Sequence, residues 1–278
     1  MRRKVLCSTA LFAVLALIFS VRAYTQGQNV PPKAITVTAQ DGVDYPANPE
    51  YPCDVNHCLF YAGDFDPKGP NPNGLWNGVD NFFGFFTIDG TVWAEFVVPK
   101  KFKGAKGKTD WTVTGLFVNN QGLPSAIYGP PSATQATWSI VQGVAAGGSP
   151  SSVTVICSGT SPVTIKPTGR FFLGFYEEYN YLVNGISGCP ILERGEYWMT
   201  VVAHAPNPPA GFEYNYLSDV EDSTPTNYIG PGTETPDTSF FTSTFFGFPT
   251  FTDTTASNVC GTVGCDKFSV GVIGTATH

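Results

Sequence analysis

The feature that most constrains the fold is a succession of short runs of β-branched and aromatic residues, each bounded by Gly, Pro, Asn or Asp. Such runs are typical of β-strands, whereas the 3.6-residue periodicity of amphipathic helices is hard to find in the chain. The predicted strands are residues 34–39, 81–88, 91–98, 111–118, 134–141, 152–157, 163–166, 171–176, 197–204, 212–217, 245–251 and 268–273. Short strands joined by Gly/Pro turns predict an all-β fold, an antiparallel β-sandwich resembling a jelly roll with long loops.

The N-terminal segment, residues 1–23, predicts a cleaved export signal. A basic start precedes an apolar stretch over residues 5–21, and Val21 and Ala23 supply small side chains before a cleavage site at Tyr24. A short membrane anchor is the competing interpretation. A polar, Pro-containing segment follows, so secretion is favoured. We expect a secreted protein, extracellular or periplasmic, with no membrane span in the mature chain.

Beyond the signal, the pattern predicts a flexible lead over residues 24–33 and a single sandwich domain over 34–278. Two extended loops interrupt the strands. Residues 62–80 are rich in Gly, Pro, Asn and Asp, and residues 218–237 are a polar, acidic stretch that is either a linker or a surface loop.

The charge balance excludes one class of partner. The chain has 22 acidic and 15 basic residues, and four of the basic ones lie in the signal segment, which leaves 11 and a formal charge of −11. Such a surface repels phosphate polymers, so we expect no nucleic-acid partner. Five lysines over residues 100–108 are interpreted as a hairpin tip rather than a dock for an anionic polymer.

The six cysteines that remain after the signal predict disulfide bonds, as is usual in an exported chain. The predicted bonds are Cys53–Cys58, Cys157–Cys189 and Cys260–Cys265. The first and third join cysteines with four residues between them, and small loops close at low entropic cost. A zinc site at the first pair, with Asp54 and His57, is the competing hypothesis. Zinc sites usually use a shorter CxxC spacing.

Three groups of motifs resemble a known class of domain. They are Val-Trp-Ala-Glu-Phe-Val-Val-Pro over 92–99 with Asp-Trp-Thr-Val-Thr over 110–114, Glu-Arg-Gly-Glu-Tyr-Trp-Met over 193–199, and Phe-Ser-Val-Gly-Val-Ile-Gly over 268–274. The pattern resembles secreted bacterial β-sandwich domains, some of them in envelope proteins with a PEP-CTERM sorting tail. The resemblance implies a noncatalytic extracellular or envelope sandwich, and it carries over no catalytic residues. A sorting tail is not seen, so free release is expected.

An oxygen-rich loop before residue 80 is a candidate calcium site. Its candidate ligands are Asp64, Asp66, Asn71 and Asn73. Calcium takes six to eight oxygen ligands, and a loop rich in Pro and Gly can direct carbonyls as well as carboxylates. The EF-hand spacing is not present, so a solvated turn is the competing interpretation. A second acidic loop, residues 219–222, is a weaker candidate, and no other cofactor is expected.

Tyrosines at alternate positions are the candidate ligand-binding residues. Tyr179 and Tyr181, and likewise Tyr214 and Tyr216, would each lie on one face of a strand. Aromatic rings provide flat surfaces on which sugars stack, and the acidic residues beside these tyrosines favour rings that reach water. Core packing is the competing interpretation. The predicted partner is an extracellular or cell-surface glycan.

A secreted hydrolase is the main alternative function. Glu177 and Glu178 are the obvious carboxylate pair, but neighbours on a strand point to opposite faces, so surface charge is the preferred interpretation for them and for Glu193 and Glu196. His204 is the best placed histidine, and no Gly-x-Ser-x-Gly elbow accompanies it. We therefore predict a noncatalytic, glycan-binding sandwich. A hydrolase using acidic loop residues and a passive structural domain are the alternatives.

Overall fold

The all-β prediction is confirmed by a computed structural model. It describes residues 58–63, 78–80, 82–84, 88–99, 110–122, 131, 133–172, 176–204, 218–221, 239–244, 247–254 and 268–277. Within these residues there is no α-helix, only a single 3-10 turn at Pro150–Ser152. The strands are β1 (Cys58–Tyr61), β2 (Gly78–Asp80), β3 (Phe82–Gly84), β4 (Ile88–Asp89), β5 (Thr91–Val98), β6 (Asp110–Gly122), β7 (Gln135–Gln142), β8 (Thr154–Phe172), β9 (Tyr176–Asn184), β10 (Gly195–His204), β11 (Ser218–Glu221), β12 (Phe240–Ser243), β13 (Phe248–Asp253) and β14 (Val270–Thr277).

The strands form one continuous hydrogen-bonded sheet. Its main path runs β1-β14-β6-β9-β8-β7-β10-β5-β12-β13, so in the described part of the chain the path has two ends and does not close into a barrel. Strand β11 pairs with the end of β6 and also with β2. Strand β3 pairs with β10 and also with β4. These pairings are antiparallel, with the exception of the parallel pair β3–β10.

Strand β8 is shared by the two halves of the sheet. Its first part, up to Pro162, pairs with β7, and from Val163 onward it pairs with β9. A strand that changes partners in this way makes the corner at which a sheet folds over itself. We call the side containing β1, β14, β6 and β9 the β6 half, and the side containing β7, β10, β5, β12 and β13 the β10 half.

The main core lies between the two halves. The Phe96 ring of β5 stacks on the Trp111 ring of β6, with centroids 6.0 Å apart and planes 3° apart, and on Tyr197 of β10 at 5.6 Å. Phe60 of β1 contacts the same Phe96 ring at 6.1 Å. A second cluster, centred on Trp93, Trp198, Phe240 and Phe251, covers part of the outer face of the β10 half. The molecule is therefore a sandwich with an added apolar layer.

A β-bulge in β6 decides which of its side chains face the core. Val113 pairs with Gly274 of β14, but Gly115 pairs with Ile273, so Thr114 is an extra residue on the β6 side. An extra residue reverses the faces of everything beyond it. Trp111 and Val113 face the core before the bulge, and Leu116 and Val118 face it afterwards. Strict alternation along residues 111–118 would place Trp111, Val113, Gly115 and Phe117 on a single face, and the bulge breaks that pattern beyond Thr114.

The boundaries of the predicted strands agree with the structure to differing degrees. Strand β5 coincides with the prediction, and β7 and β10 begin within two residues of theirs. Strand β8 joins the strands predicted at 152–157 and 163–166 and includes the first two residues of the one predicted at 171–176. Strands β1, β2, β9 and β12 were not predicted as such. Strand β2 lies at the end of the predicted loop 62–80, and β11 lies at the start of the segment predicted as a linker or loop. Predicted strands 34–39 and 212–217 lie outside the described residues.

Candidate functional site

Two of the predicted ligand-binding tyrosines are part of the core. Tyr179 and Tyr181 are only 1% and 3% exposed, and both belong to the main cluster between the halves. The Tyr179 hydroxyl donates a hydrogen bond to Glu177 Oε2 at 2.5 Å. The expectation that these rings reach water is therefore wrong. Tyr214 and Tyr216 lie outside the described residues.

The carboxylates of Glu177 and Glu178 are on opposite faces of β9. Glu177 pairs in register with Gly122 on the core side, and Glu178 pairs with Gln121 on the outer side, so the two do not share a cleft. Both are nonetheless buried, at 8% and 0% exposure, and the surface-charge interpretation is wrong for this pair. The Thr168 hydroxyl of β8 donates a hydrogen bond to Glu178 Oε2.

Glu193 and Glu196 are exposed, in agreement with the surface-charge interpretation. Tyr197 beside them donates its hydroxyl hydrogen to the backbone oxygen of Glu193 at 2.8 Å. Burial, and to a lesser degree the Glu193 charge, raises the pKa of the Tyr197 hydroxyl. This tyrosine therefore stays protonated and serves as a hydrogen-bond donor.

His204 is half-buried at the end of β10. Its Nε2 and the Thr137 hydroxyl of β7 are hydrogen-bonded to each other. The residues in register with it are Gln135 of β7 and Phe83 of β3, neither of which is acidic. Burial lowers the pKa of His204 below its ordinary value of 6.5, so the imidazole is neutral near pH 7. Its contacts are those of a structural histidine that hydrogen-bonds across strands.

A network of amides and hydroxyls lies on the outer face of the β6 half. Asn119 donates from Nδ2 to the Tyr61 hydroxyl at 3.1 Å and to Ser269 Oγ at 2.9 Å, and its Oδ1 accepts from Asn180 Nδ2 at 2.7 Å. Ser269 then donates to the Gly63 carbonyl at 2.6 Å. Asn119, Asn180 and Ser269 are 2%, 1% and 0% exposed. Nothing in the sequence marks these residues, because polar residues alternating along a strand usually indicate a solvated face.

Two side-chain oxygens beside this network accept no hydrogen bond. They are Asn180 Oδ1 and Gln121 Oε1, and Gln121 is only 4% exposed. Gln121 follows Asn119 by two residues on β6, so both lie on the outer face. An unsatisfied buried acceptor costs free energy unless a donor or a cation meets it.

A contrasting polar surface lies on the outer face of the β10 half. Cross-strand pairing aligns Thr137 with Thr160 and Ser139 with Ser158 on β7 and β8, and Thr200 of β10 is in register with Ser139. Thr137, Ser158 and Thr160 are exposed, whereas Thr200 is buried and its hydroxyl has no hydrogen-bond partner. We call these five residues the hydroxyl face. It offers several hydrogen-bonding groups on rigid strands.

The predicted disulfide between Cys157 and Cys189 is confirmed. The two Cα atoms are 5.2 Å apart, and the bond joins β8 to the connection between β9 and β10. Both cysteines are partly buried and pack against the main core. Cys58 is also disulfide-bonded, and its partner is outside the described residues. Cys53, Cys260 and Cys265 are likewise outside them.

The predicted calcium ligands Asp64, Asp66, Asn71 and Asn73 also lie outside the described residues, as do the signal segment and the lysine-rich segment 100–108. Among the residues that the structure describes, no group of three or more His, Cys, Asp or Glu side chains is arranged to hold a metal ion. No helix in the described part of the chain is long and apolar enough to cross a membrane.

Searches against protein-family models, curated proteins and solved structures each found no match. The resemblance to bacterial sandwich domains therefore rests on its short motifs. What the structure defines is the class: an all-β, disulfide-bonded sandwich with two different polar outer faces.

Proposed function

We propose that the protein is an exported, noncatalytic β-sandwich that binds extracellular or cell-surface glycans through the hydroxyl face. The observation that carries the proposal is the exposed set Thr137, Ser158 and Thr160 on the paired strands β7 and β8. Hydroxyl side chains both donate and accept hydrogen bonds, as sugar hydroxyls do. Rigid strands hold them in place without the entropic cost of ordering a loop.

Export is supported by the disulfides. The Cys157–Cys189 bond and the bonded Cys58 are typical of proteins that fold in an oxidising compartment. The signal-like segment 1–23 points in the same direction. N-terminal sequencing of the protein recovered outside the cytoplasm should begin at or near Tyr24, and retention of Met1 would contradict export with cleavage.

A noncatalytic role is supported by the arrangement of the carboxylate pair that the sequence singles out. Glu177 and Glu178 are on opposite faces of one strand, which prevents the two from flanking one glycosidic bond. The hydrolase alternative would require a convergent pair elsewhere. Release of reducing ends from a glycan incubated with the purified protein would contradict the noncatalytic proposal.

The binding test begins with a glycan array and the purified protein. For any bound glycan, we compare the double variant Ser158→Ala and Thr160→Val, which leaves the Thr137–His204 hydrogen bond intact, with a matched control, Thr112→Val and Thr114→Val, whose threonines are exposed on the other half. The first should weaken binding roughly tenfold, because two hydrogen bonds are lost, and the control should not. Equal effects in both, or no bound glycan at all, would contradict the proposal.

A further inference from the structure

A lysine, an asparagine and a glutamate lie together on the outer face of the β6 half. Lys166 of β8 is in register with Asn180 of β9, directly across the strand pair. Glu178 precedes Asn180 by two residues on β9, so the two side chains share a face. Residues directly opposite each other have Cβ atoms about 4.5–5.5 Å apart, and diagonal neighbours remain within reach of long side chains. The four-carbon stem of Lys166 can therefore bring its amine to either partner.

The amide of Asn180 is held in one orientation. Its Nδ2 donates a hydrogen bond to Asn119 Oδ1 of β6 at 2.7 Å, and the residue is 1% exposed. Its Oδ1 is buried and accepts no hydrogen bond. A donor that reaches such an oxygen stabilises negative charge developing on it. The amide carbon is thus fixed opposite Lys166, and its oxygen still has the capacity to accept a proton donor.

Glu178 supplies an acid–base group beside this amide. It is fully buried, and the Thr168 hydroxyl of β8 donates a hydrogen bond to its Oε2. Glu178 and Lys166 each take part in further interactions as well. A carboxylate next to an amine and an amide can accept a proton from one nitrogen and deliver it to the other. Lys166 is exposed, so its ammonium form can release its extra proton to water.

The strand ladder is interrupted next to Lys166. The following residue, Pro167, pairs with Tyr179 and has no N–H to donate. Beyond Pro167 the register shifts before Phe171 pairs with Glu177. A covalent link at Lys166 would therefore join β8 and β9 where backbone hydrogen bonds between them are fewest.

We propose that Lys166 and Asn180 form an intramolecular isopeptide bond, with Glu178 as the acid–base group. The neutral amine attacks Cγ of Asn180, so that a bond forms between Nζ and Cγ and the Cγ–Nδ2 bond breaks. Of the two protons on the amine, one stays on the new amide. The other moves through Glu178 to the departing nitrogen, which leaves as ammonia. Nothing is oxidised or reduced, and no further reactant is needed. The bond is a modification of the chain itself and is independent of glycan binding.

Mass spectrometry of the purified protein tests the proposal. After allowance for its disulfides, the protein should be lighter than its sequence by one ammonia molecule, and a digest should contain a branched peptide joining Lys166 to Asn180. Lys166→Arg, a change at an exposed residue that keeps the charge, should restore the full mass. Asn180→Asp should lose water in place of ammonia. Glu178→Gln should slow bond formation at least ~10-fold after synthesis.

The matched control is Asn184→Ala on the same strand. Asn184 is exposed and precedes Gly185, and an Asn-Gly sequence can also lose ammonia, by closing to a cyclic imide. The control variant should keep both the mass deficit and the branched peptide. Three results would overturn the proposal: full mass in the unmodified protein, a deficit that disappears in Asn184→Ala but persists in Lys166→Arg, or recovery of Lys166 and Asn180 only in separate, unbranched peptides.

Discussion

The outer faces of the two sheet halves carry similar residues in opposite environments. On the β6 half, Asn119, Gln121 and Asn180 are buried and form or adjoin a hydrogen-bonded network. On the β10 half, Thr137 and Thr160 are exposed. Alternation of polar and apolar residues thus identifies the face of a strand, but it does not determine whether that face meets solvent.

A difference in exposure to solvent also separates the tyrosines of β9 from the threonines of β7 and β8. Tyr179 directly follows two acids in the sequence, and yet both it and Tyr181 lie in the main core. Their acidic neighbour Glu177 is buried with them and accepts the Tyr179 hydrogen bond. A charged neighbour in the sequence is therefore a weak guide to exposure when the charge itself has a buried partner.

The largest expected effect is that of Tyr179→Ala. Removing a fully buried ring leaves a cavity and strips Glu177 of a hydrogen bond, so the free energy of unfolding should fall by about 3–5 kcal/mol. Urea unfolding measures the change. The comparison variant Thr160→Ala, on the exposed face, should stay within about 0.5 kcal/mol. Similar losses in the two variants would mean that the two environments are not different.

The double variant Cys157→Ser and Cys189→Ser should lose almost as much stability as Tyr179→Ala. The bond spans 32 residues, for which the chain-entropy model gives a stabilisation of about 3–4 kcal/mol. The experiment is urea unfolding of both proteins under oxidising conditions, so that Cys58 stays bonded in each. An unchanged midpoint would show that the connection between β9 and β10 is held by packing alone.

Asn119→Ala tests the buried network directly. Asn180 Nδ2 would lose its acceptor and the Tyr61 hydroxyl its donor, at a cost of about 1–3 kcal/mol. Ser158→Ala is the control from the exposed face and should change little. Stability is measured by thermal melting of both variants. Equal melting temperatures would indicate that water replaces the Asn119 contacts at no cost.

The smallest expected effect concerns His204 and pH. Its pKa is lowered in the folded state, so the unfolded chain takes up the proton first as the pH falls below 6.5. Stability should therefore decrease slightly from that pH downward, until the folded state is protonated as well. NMR titration should place the His204 pKa below 6.5, and His204→Gln should remove this part of the pH dependence. A pKa at or above 6.5 would contradict burial as the dominant influence.

The strand content was predictable because it depends on local patterns: alternation and Gly/Pro boundaries are visible within short windows, as β5 illustrates. The Cys157–Cys189 bond was predictable because these two cysteines remained after the closely spaced pairs were assigned to each other. Features that depend on distant pairing were not predictable. The bulge at Thr114 becomes visible only when β14 lies against β6.

The position of β14 has a consequence for the kinetics of folding. This strand is the last that the structure describes, and it is inserted between β1 and β6, to which it is hydrogen-bonded on both sides. Contacts between residues so far apart in sequence form slowly, because long loops must close first. While a chain emerges from the ribosome, β1 and β6 lack the strand that separates them. Their unpaired edges are then the surfaces on which aggregation competes with folding.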